Sequence, residues 1–372
     1  MKFNNALVTG GAGFIGSFIV DELIKKGYSV KILDNLEEQV HQNKIPEYMN
    51  KNAEFFKGDV RDIETLRKAI EDVDIIFHEA AAVGIGQSQY QIKKYVETNT
   101  LGTANLLDIL ANSKHNVKKL IVPSSNTIYG EGSYLCEGCG KVSPPLRTKA
   151  DTKNKDWELK CPNCKKNLKP LNTREDKKQD PNSIYAITKM DQERLCMNIG
   201  NTYGIPTVIL RYFNVYGPRQ SLNNPYTGVS AIFISRIKND HPPIIYEDGL
   251  QTRDFISIYD IVNANILAME RFSANYEIFN VGSGKQTTIK HLSEVLTHLL
   301  KKNLKPIITN EFRKGDIRHC FADITKIKEK LDFEQHISFE EGMMGLIKWS
   351  ESQKAEDQSN KANLELKNKG LI

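Results

Sequence analysis

Short apolar runs alternate with apolar residues at helical spacing through the first half of the chain. Ala6-Leu7-Val8-Thr9 reads as a buried strand and leads straight into Gly10-Gly11-Ala12-Gly13-Phe14-Ile15-Gly16. Phe14, Ile15, Phe18, Ile19, Leu23 and Ile24 then mark one face of a helix that stops near Gly27. A second strand over Ser29–Leu33 ends in Asp34, and a third over Glu54–Lys57 ends in Gly58-Asp59-Val60. Asp74–His78 predicts a fourth, followed by the small residues Ala80-Ala81-Ala82. A long helical stretch carries Tyr95, Asn99, Leu101, Leu106, Leu107 and Leu110 before Lys119–Val122 runs into Pro123-Ser124-Ser125. After an interruption, a helix from Tyr185 to about Tyr203 precedes a strand over Pro206–Arg211.

Strands alternating with helices predict a doubly wound parallel sheet of Rossmann type, with ligands at the carboxyl ends of its strands. Ser125 and the 80–82 loop fall there. A glycine-rich turn between a strand and a helix lets the backbone approach a pyrophosphate, whose charge meets the free N–H groups of the helix. Asp34 stands 18 residues beyond Gly16, about where a carboxylate accepts hydrogen bonds from the adenosine ribose. Its charge would repel a 2′-phosphate, and neither Asn35 nor Leu36 compensates, so NAD is expected rather than NADP. His78 at a strand end reads as a satisfied core histidine.

Tyr185 and Lys189 lie one helical turn apart on the same face. An ammonium there is expected to lower the tyrosine pKa from about 10, which would make the phenol a general base. Alone, such a pair often only decorates a helix surface; its place after a dinucleotide pattern is what points to chemistry.

Between Gly130 and Asp180 the alternation breaks. Cys136-Glu137-Gly138-Cys139 and Cys161-Pro162-Asn163-Cys164 are two C-x-x-C pairs separated by 21 residues. Four thiolates suit a closed, structural zinc site, and two disulfides are the alternative, less apt inside a cell. Residues 131–180 hold twelve Lys or Arg against eight Asp or Glu, which supplies four of the chain's net +5. Zinc with four thiolates would cancel half of that excess, and the lysines are interspersed with acids, so nucleic-acid binding is not expected. The module reads as structural, bordering the ligand site. Cys196 and Cys320 are expected to be buried or inert. The 372 residues, 40% hydrophobic and 26% charged, are those of a globular protein, and no run long enough for a bilayer is present. A cytoplasmic enzyme with no membrane partner is expected.

Gly10–Gly16, Asp34, Gly58-Asp59, the Ser124-Ser125…Tyr129-Gly130 segment, Tyr185 and Lys189 resemble the extended short-chain dehydrogenase/reductase family, in particular its nucleotide-sugar epimerases and dehydratases. Arg211 to Gln220, Arg253-Asp254-Phe255 and Asn280-Val281-Gly282 continue the likeness, which covers residues 1 to about 350. It implies an NAD-binding domain over 1–211 with the insertion at 131–180. A nucleotide-sugar domain over 212–350 would return some strands to the sheet. Residues 351–372, beyond the likeness, are polar and charged with no aromatics, so a frayed tail is expected there. The resemblance places Gly10, Gly13, Phe14, Ile15, Gly16, Asp34, Asn35, Asp59, Val60, Ala80, Ala81, Ala82, Asn99, Tyr185, Lys189, Tyr212 and Phe213 on NAD. It places Ser125, Asn126, Asn214, Gln220, Arg253, Arg313 and Asp316 on the nucleotide-sugar, and implies a homodimer through the helices near 90–113 and 184–203.

In the family's 4,6-dehydratases the Ser125 position is usually Thr, followed by Asp and Glu that eliminate water. Here Asn126 and Thr127 follow, so a 4-epimerase acting on a dTDP- or UDP-hexose is expected. A 4,6-dehydratase, a 4-keto reductase, and an NAD-binding sensor or scaffold remain the alternatives.

Overall fold

The computed structural model describes residues 3–226 and 228–372, apart from the side chain of Lys149. The strands that matter below are β1 (Asn5–Thr9), β2 (Ser29–Asp34), β3 (Glu54–Lys57), β4 (Ile75–His78), β5 (Lys119–Ser125), β6 (Ser133–Cys136), β7 (Gly140–Val142), β8 (Lys169–Leu171) and β9 (Thr207–Tyr212). Seven strands form a parallel sheet in the order Ile278–Val281, β9, β5, β4, β1, β2, β3. The order of winding reverses between β1 and β4, and there the carboxyl ends open a crevice.

Alternation within each strand sorts its residues between two cores. Ala6, Val8, Ile75, Phe77, Ile121, Val208 and Leu210 face one layer of helices, and Leu7, Ile76, Leu120, Val122 and Ile209 face the other. A strand covered on both faces has no reason to show a polar face, which is why these strands read as continuous apolar runs. The second half builds its own core from Phe233, Ile237, Leu292, Leu296, Met343 and Leu346 on three helices, Val229–Lys238, Ile289–Leu299 and Phe339–Glu351.

The insertion folds as a three-stranded antiparallel sheet in the order β7, β6, β8, around a small cluster of Tyr134, Cys136, Leu159, Cys161 and Leu168. It leaves the main fold after a 3₁₀ turn at Asn126–Tyr129 and rejoins it before the helix Ile184–Tyr203.

The tail does not fray. Ser359–Asn368 forms a helix whose stripe of Ser359, Ala362 and Leu366 is buried, a spacing of three and four residues hidden in a polar composition. Leu366 meets Gly86, where a Cβ would lie 3.2 Å from Leu366 Cδ2. Asp357 pairs with buried Arg236 at 3.1 Å, Tyr226 donates to Glu365, and Lys367 pairs with Glu311 at 2.8 Å. Charge alone misjudges this segment, because its anchors are specific partners on distant elements. Among the described residues no helix is long and apolar enough to cross a membrane.

Candidate active site

The crevice is a cavity of about 400 Å³ that runs from the glycine turn to Tyr185. Gly10 sits at φ +68°, and a Cβ there would stand 2.8 Å from the Ala80 nitrogen. A Cβ on Gly16 would stand 2.3 Å from the Gly10 carbonyl oxygen, so only glycine lets the first helix start this close to β1. Asp34 holds the turn by accepting from the Ala12 N–H at 3.0 Å and the Leu36 N–H at 2.9 Å. Asn35 donates to Asp59 at 2.9 Å; burial opposes ionisation of Asp59, but hydrogen bonds from Arg61 and Asn35 outweigh it and hold its carboxyl down to about 2. The residues present therefore fit a dinucleotide: a glycine cradle open to a pyrophosphate, and a carboxylate where a ribose hydroxyl would donate. Phe14, Ile15, Val60, Ala80, Ala81, Ala82, Tyr212 and Phe213 line the same cavity.

Ser125 ends β5, and Tyr185 and Lys189 stand at the start of the helix Ile184–Tyr203, capped by the Ser183 side chain. All three reach the cavity. Burial pushes the Tyr185 phenol up to about 12, and a hydrogen bond with Ser125 is what counters it. The expected lowering by Lys189 is absent. The ammonium donates to Gln192 Oε1 at 2.8 Å, and burial lowers its own pKa while Glu79 opposes that shift.

A buried polar chain continues from there. Gln192 Nε2 donates to Thr103 Oγ1 at 2.7 Å, Thr103 meets His78 Nε2 at 3.0 Å, and His78 Nδ1 meets Thr9 Oγ1 on β1 at 2.9 Å. Burial, with Lys189 behind it, pushes the His78 pKa down to about 3, so the ring is neutral and serves the core.

Several expected ligand residues lie elsewhere. Asn99 is outside the cavity wall: buried within a π-helical stretch, Val96–Leu101, it bonds both the N–H and the carbonyl of Ala82 and thereby shapes the loop that is in the wall. Asn126 is behind Ser125, 3.5 Å from its hydroxyl. Arg253 donates to the carbonyls of Thr252, Ile317 and Arg318, and Arg313 forks onto Asp316 at 2.8–3.1 Å. None of these five, Asp316 included, lines this cavity. Asn214 and Gln220 do line it, and each presents a buried side-chain oxygen without a protein partner, as does the hydroxyl of Ser124. Acceptors left open in such a place suit a ligand's hydroxyl donors.

Residues not singled out from the sequence also complete the wall. Glu79 accepts from the Tyr212 hydroxyl at 3.1 Å, and burial raises its pKa against the attraction of Lys189. Arg219, at φ +67°, places its guanidinium 4.1 Å from the Phe18 ring centre and brings a cation into the cavity. A charged residue directly after the apolar run of β4 was the signal for Glu79; Arg219 lies within the segment that carries the family likeness.

The Sγ atoms of Cys136, Cys139, Cys161 and Cys164 lie within 4.8 Å of one another, and none is in a disulfide. A tetrahedral zinc with Zn–S of about 2.3 Å needs sulfurs about 3.8 Å apart, so these donors fit the ion in kind and number. Cys196 and Cys320 are buried.

Fold and cavity together define a dinucleotide-binding α/β enzyme with a Tyr–Lys–Ser set at the carboxyl ends of its strands. The chain belongs to the NAD-dependent epimerase/dehydratase family, whose pattern matches residues 6–150 and 163–282 and skips part of the insertion. A dTDP-L-rhamnose 4-epimerase of Burkholderia thailandensis is 33% identical over 92% of this chain and 94% of its own. A UDP-glucuronate 4-epimerase of Thermodesulfobacterium geofontis is 32% identical over 92% of this chain and 95% of its own. Among solved structures, a UDP-N-acetylglucosamine 4-epimerase from Methanobrevibacter ruminantium, in complex with UDP-N-acetylmuramic acid, superposes with a TM-score of 0.77. It is 35% identical and covers 95% of this chain and all of its own.

Proposed function

We propose that the protein is an NAD-dependent nucleotide-sugar 4-epimerase that works through a transient 4-keto sugar. The observation that carries this is the convergence of Ser125, Tyr185 and Lys189 on the cavity that fits a dinucleotide, with Asn126 and Thr127 following Ser125 where a dehydratase needs two carboxylates. NAD, when bound, supplies reversible hydride acceptance at the sugar carbon and, oxidised, a positive charge that favours the phenolate. Tyr185 accepts the proton of the sugar C4 hydroxyl, Ser125 steadies the reacting oxygen, and Lys189, held by Gln192, keeps a cation in the same cavity, where it would hold the ribose of bound NAD. The keto sugar then turns over in the pocket, where the unpartnered oxygens of Asn214 and Gln220 can hold it by either face. Tyr185 returns its proton to the C4 oxygen, and because bound NAD would both take and give back the hydride, no external redox partner would be needed. Arg313 and Asp316 remain the residues for the nucleotide end.

The insertion, together with the loop Gln220-Ser221-Leu222-Asn223-Asn224-Pro225-Tyr226, favours dTDP-L-rhamnose and dTDP-6-deoxy-L-talose as the substrate pair. A UDP-hexose is the second reading, favoured by the UDP-sugar relatives. Product from a panel of dTDP-, UDP- and GDP-sugars, turned over in deuterated water, tests both levels. Epimerisation by internal hydride return gives a product of unchanged mass with its carbon-bound hydrogens retained; loss of water, or deuterium at C5, overturns it.

Two further readings belong with this one. Zinc in the four-cysteine cluster is structural, and about one zinc per chain is expected by metal analysis, with oxidised, metal-free thiols the contrary result. The subunit pairs as a homodimer: Ile92, Val96 and Leu101 on one helical stretch and Ile187 and Leu195 on the other are exposed apolar residues on the two helices that would form a four-helix bundle. Light scattering that returns a monomer mass at micromolar concentration counts against the dimer.

A further inference from the structure

The insertion touches the segment 312–320 at several separate points. Arg147, only 8% exposed, donates from Nη2 to the Asp316 carbonyl at 3.2 Å and pairs through Nη1 with Glu247 at 2.7 Å. Its guanidinium lies 4.9 Å from the Phe312 ring centre. Glu158 accepts from Arg318 Nε at 2.9 Å and lies 3.2 Å from His319 Nε2. Glu131 accepts the Arg318 N–H at 2.8 Å and the Tyr134 hydroxyl at 3.0 Å. Tyr134 stands two residues before Cys136 on β6, so the strand with the first cysteine is tied, through Glu131, to the residue two beyond Asp316.

Between these ties opens a second cavity of about 430 Å³. Arg147, Thr148 and Lys153 line it from the insertion, and Phe312, Lys314 and Asp316 line it from across. Arg147, Lys153 and Lys314 line it with Asp316; Glu247 already pairs with Arg147 Nη1, but Arg147 Nε is buried without a partner. One hydrogen bond links its wall toward the helix Ile184–Tyr203: the Gly315 carbonyl accepts from Asn182 Nδ2 at 2.8 Å, three residues before Tyr185.

We infer that the 131–180 insertion forms one wall of the site for the nucleotide end of the substrate, with Arg147 as the residue that positions Asp316. This rests on the reading of the protein as a nucleotide-sugar enzyme. A diphosphate suits a cationic wall, since each added guanidinium or ammonium offers charge-assisted donors to its oxygens. The insertion's own core is small, and Arg147 is held in this wall by its contacts with Glu247 and with the Asp316 carbonyl.

The test uses full-length, NAD-loaded protein and UDP and dTDP as probes, bound by calorimetry beside kcat and KM for the nucleotide-sugar. Arg147→Gln is expected to weaken binding of the preferred nucleoside diphosphate and raise KM by about tenfold or more, with kcat changed far less and NAD binding retained. Arg147→Lys and the exposed Lys153→Ala should show a smaller shift in the same sense. Thermal melts establish that each variant is folded, and if Arg147→Gln is not, the other two decide. Unchanged diphosphate affinity in folded Arg147→Lys and Lys153→Ala overturns the inference while leaving the enzyme reading intact. A wild-type protein that binds neither probe overturns both.

Discussion

Lys189 Nζ donates to Gln192 Oε1 at 2.8 Å within a wholly buried environment, and Gln192 is itself held by Thr103. The helix carrying Tyr185 and Lys189 is thereby fastened to the sheet through Thr103 and His78, while the ion pair between Glu193 and Arg211 fastens it to β9. Gln192 gives this buried ammonium an acceptor, while the Glu79 carboxylate opposes the loss of its charge on burial.

Gln192→Leu removes that acceptor at similar volume. Loss of a hydrogen bond to a buried charge costs about 2 kcal/mol, and urea unfolding should read a loss of that order. Hydrogen bonding to the ammonium favours the charged form, so its loss lowers the Lys189 pKa further. The alkaline limb of the pH–rate profile should move to lower pH, whereas a purely structural role for Gln192 would leave the profile in place.

Tyr185→Phe deletes one oxygen from a side chain 8% exposed and should leave melting temperature and NAD affinity near wild type. Turnover should fall about 10²–10⁴-fold, the usual contribution of a positioned proton carrier. Near wild-type turnover would take Tyr185 out of the mechanism. Ser125→Ala should lower activity in the same direction, because its hydrogen bond is what counters the burial of the phenol.

His78 titrates at about 3 in the folded protein against an ordinary 6.5. Between those values the unfolded chain binds the extra proton, so the stability that His78 contributes is present above pH 6.5 and is lost as pH falls toward 3. The loss amounts to about 1.4 kcal/mol per pH unit for one proton. Glu79, raised by burial, works in the opposite sense, so the comparison must be between variants. His78→Gln should unfold with a shallower loss of stability from pH 6.5 to 5 than wild type, by about one proton's slope. Equal slopes would mean that His78 is not the group.

Leu366→Ala empties the contact of the terminal helix with Gly86. Burial of a leucine side chain typically contributes about 2 kcal/mol or more. Because the helix is otherwise held by polar and charged partners, the loss should appear as local release: faster amide hydrogen exchange over 359–368 with little change at β1 or β5. Unchanged exchange there would show that Leu366 does not hold the helix.

The sheet, the glycine turn, Asp34 and the helix carrying Tyr185 and Lys189 were legible in the chain because each is encoded locally. Period-two and helical spacing, glycine where a Cβ would collide, and a carboxylate at a strand end need only a few consecutive residues to be recognised. The four cysteines were legible for the same reason, as short spacings of one distinctive side chain. Tertiary structure alone decided where charge and solvent lie. Burial, set by residues far apart in sequence, raises Tyr185 and turns Lys189 toward Gln192, which reverses the pKa shift expected from the one-turn spacing. Long-range pairing likewise docks the polar tail onto Arg236, Tyr226 and Gly86, and sets Arg147 of the insertion beside Asp316, 169 residues away. Local spacing settles which backbone a segment adopts; the dielectric and the partners around a charged side chain are properties of the whole packed chain.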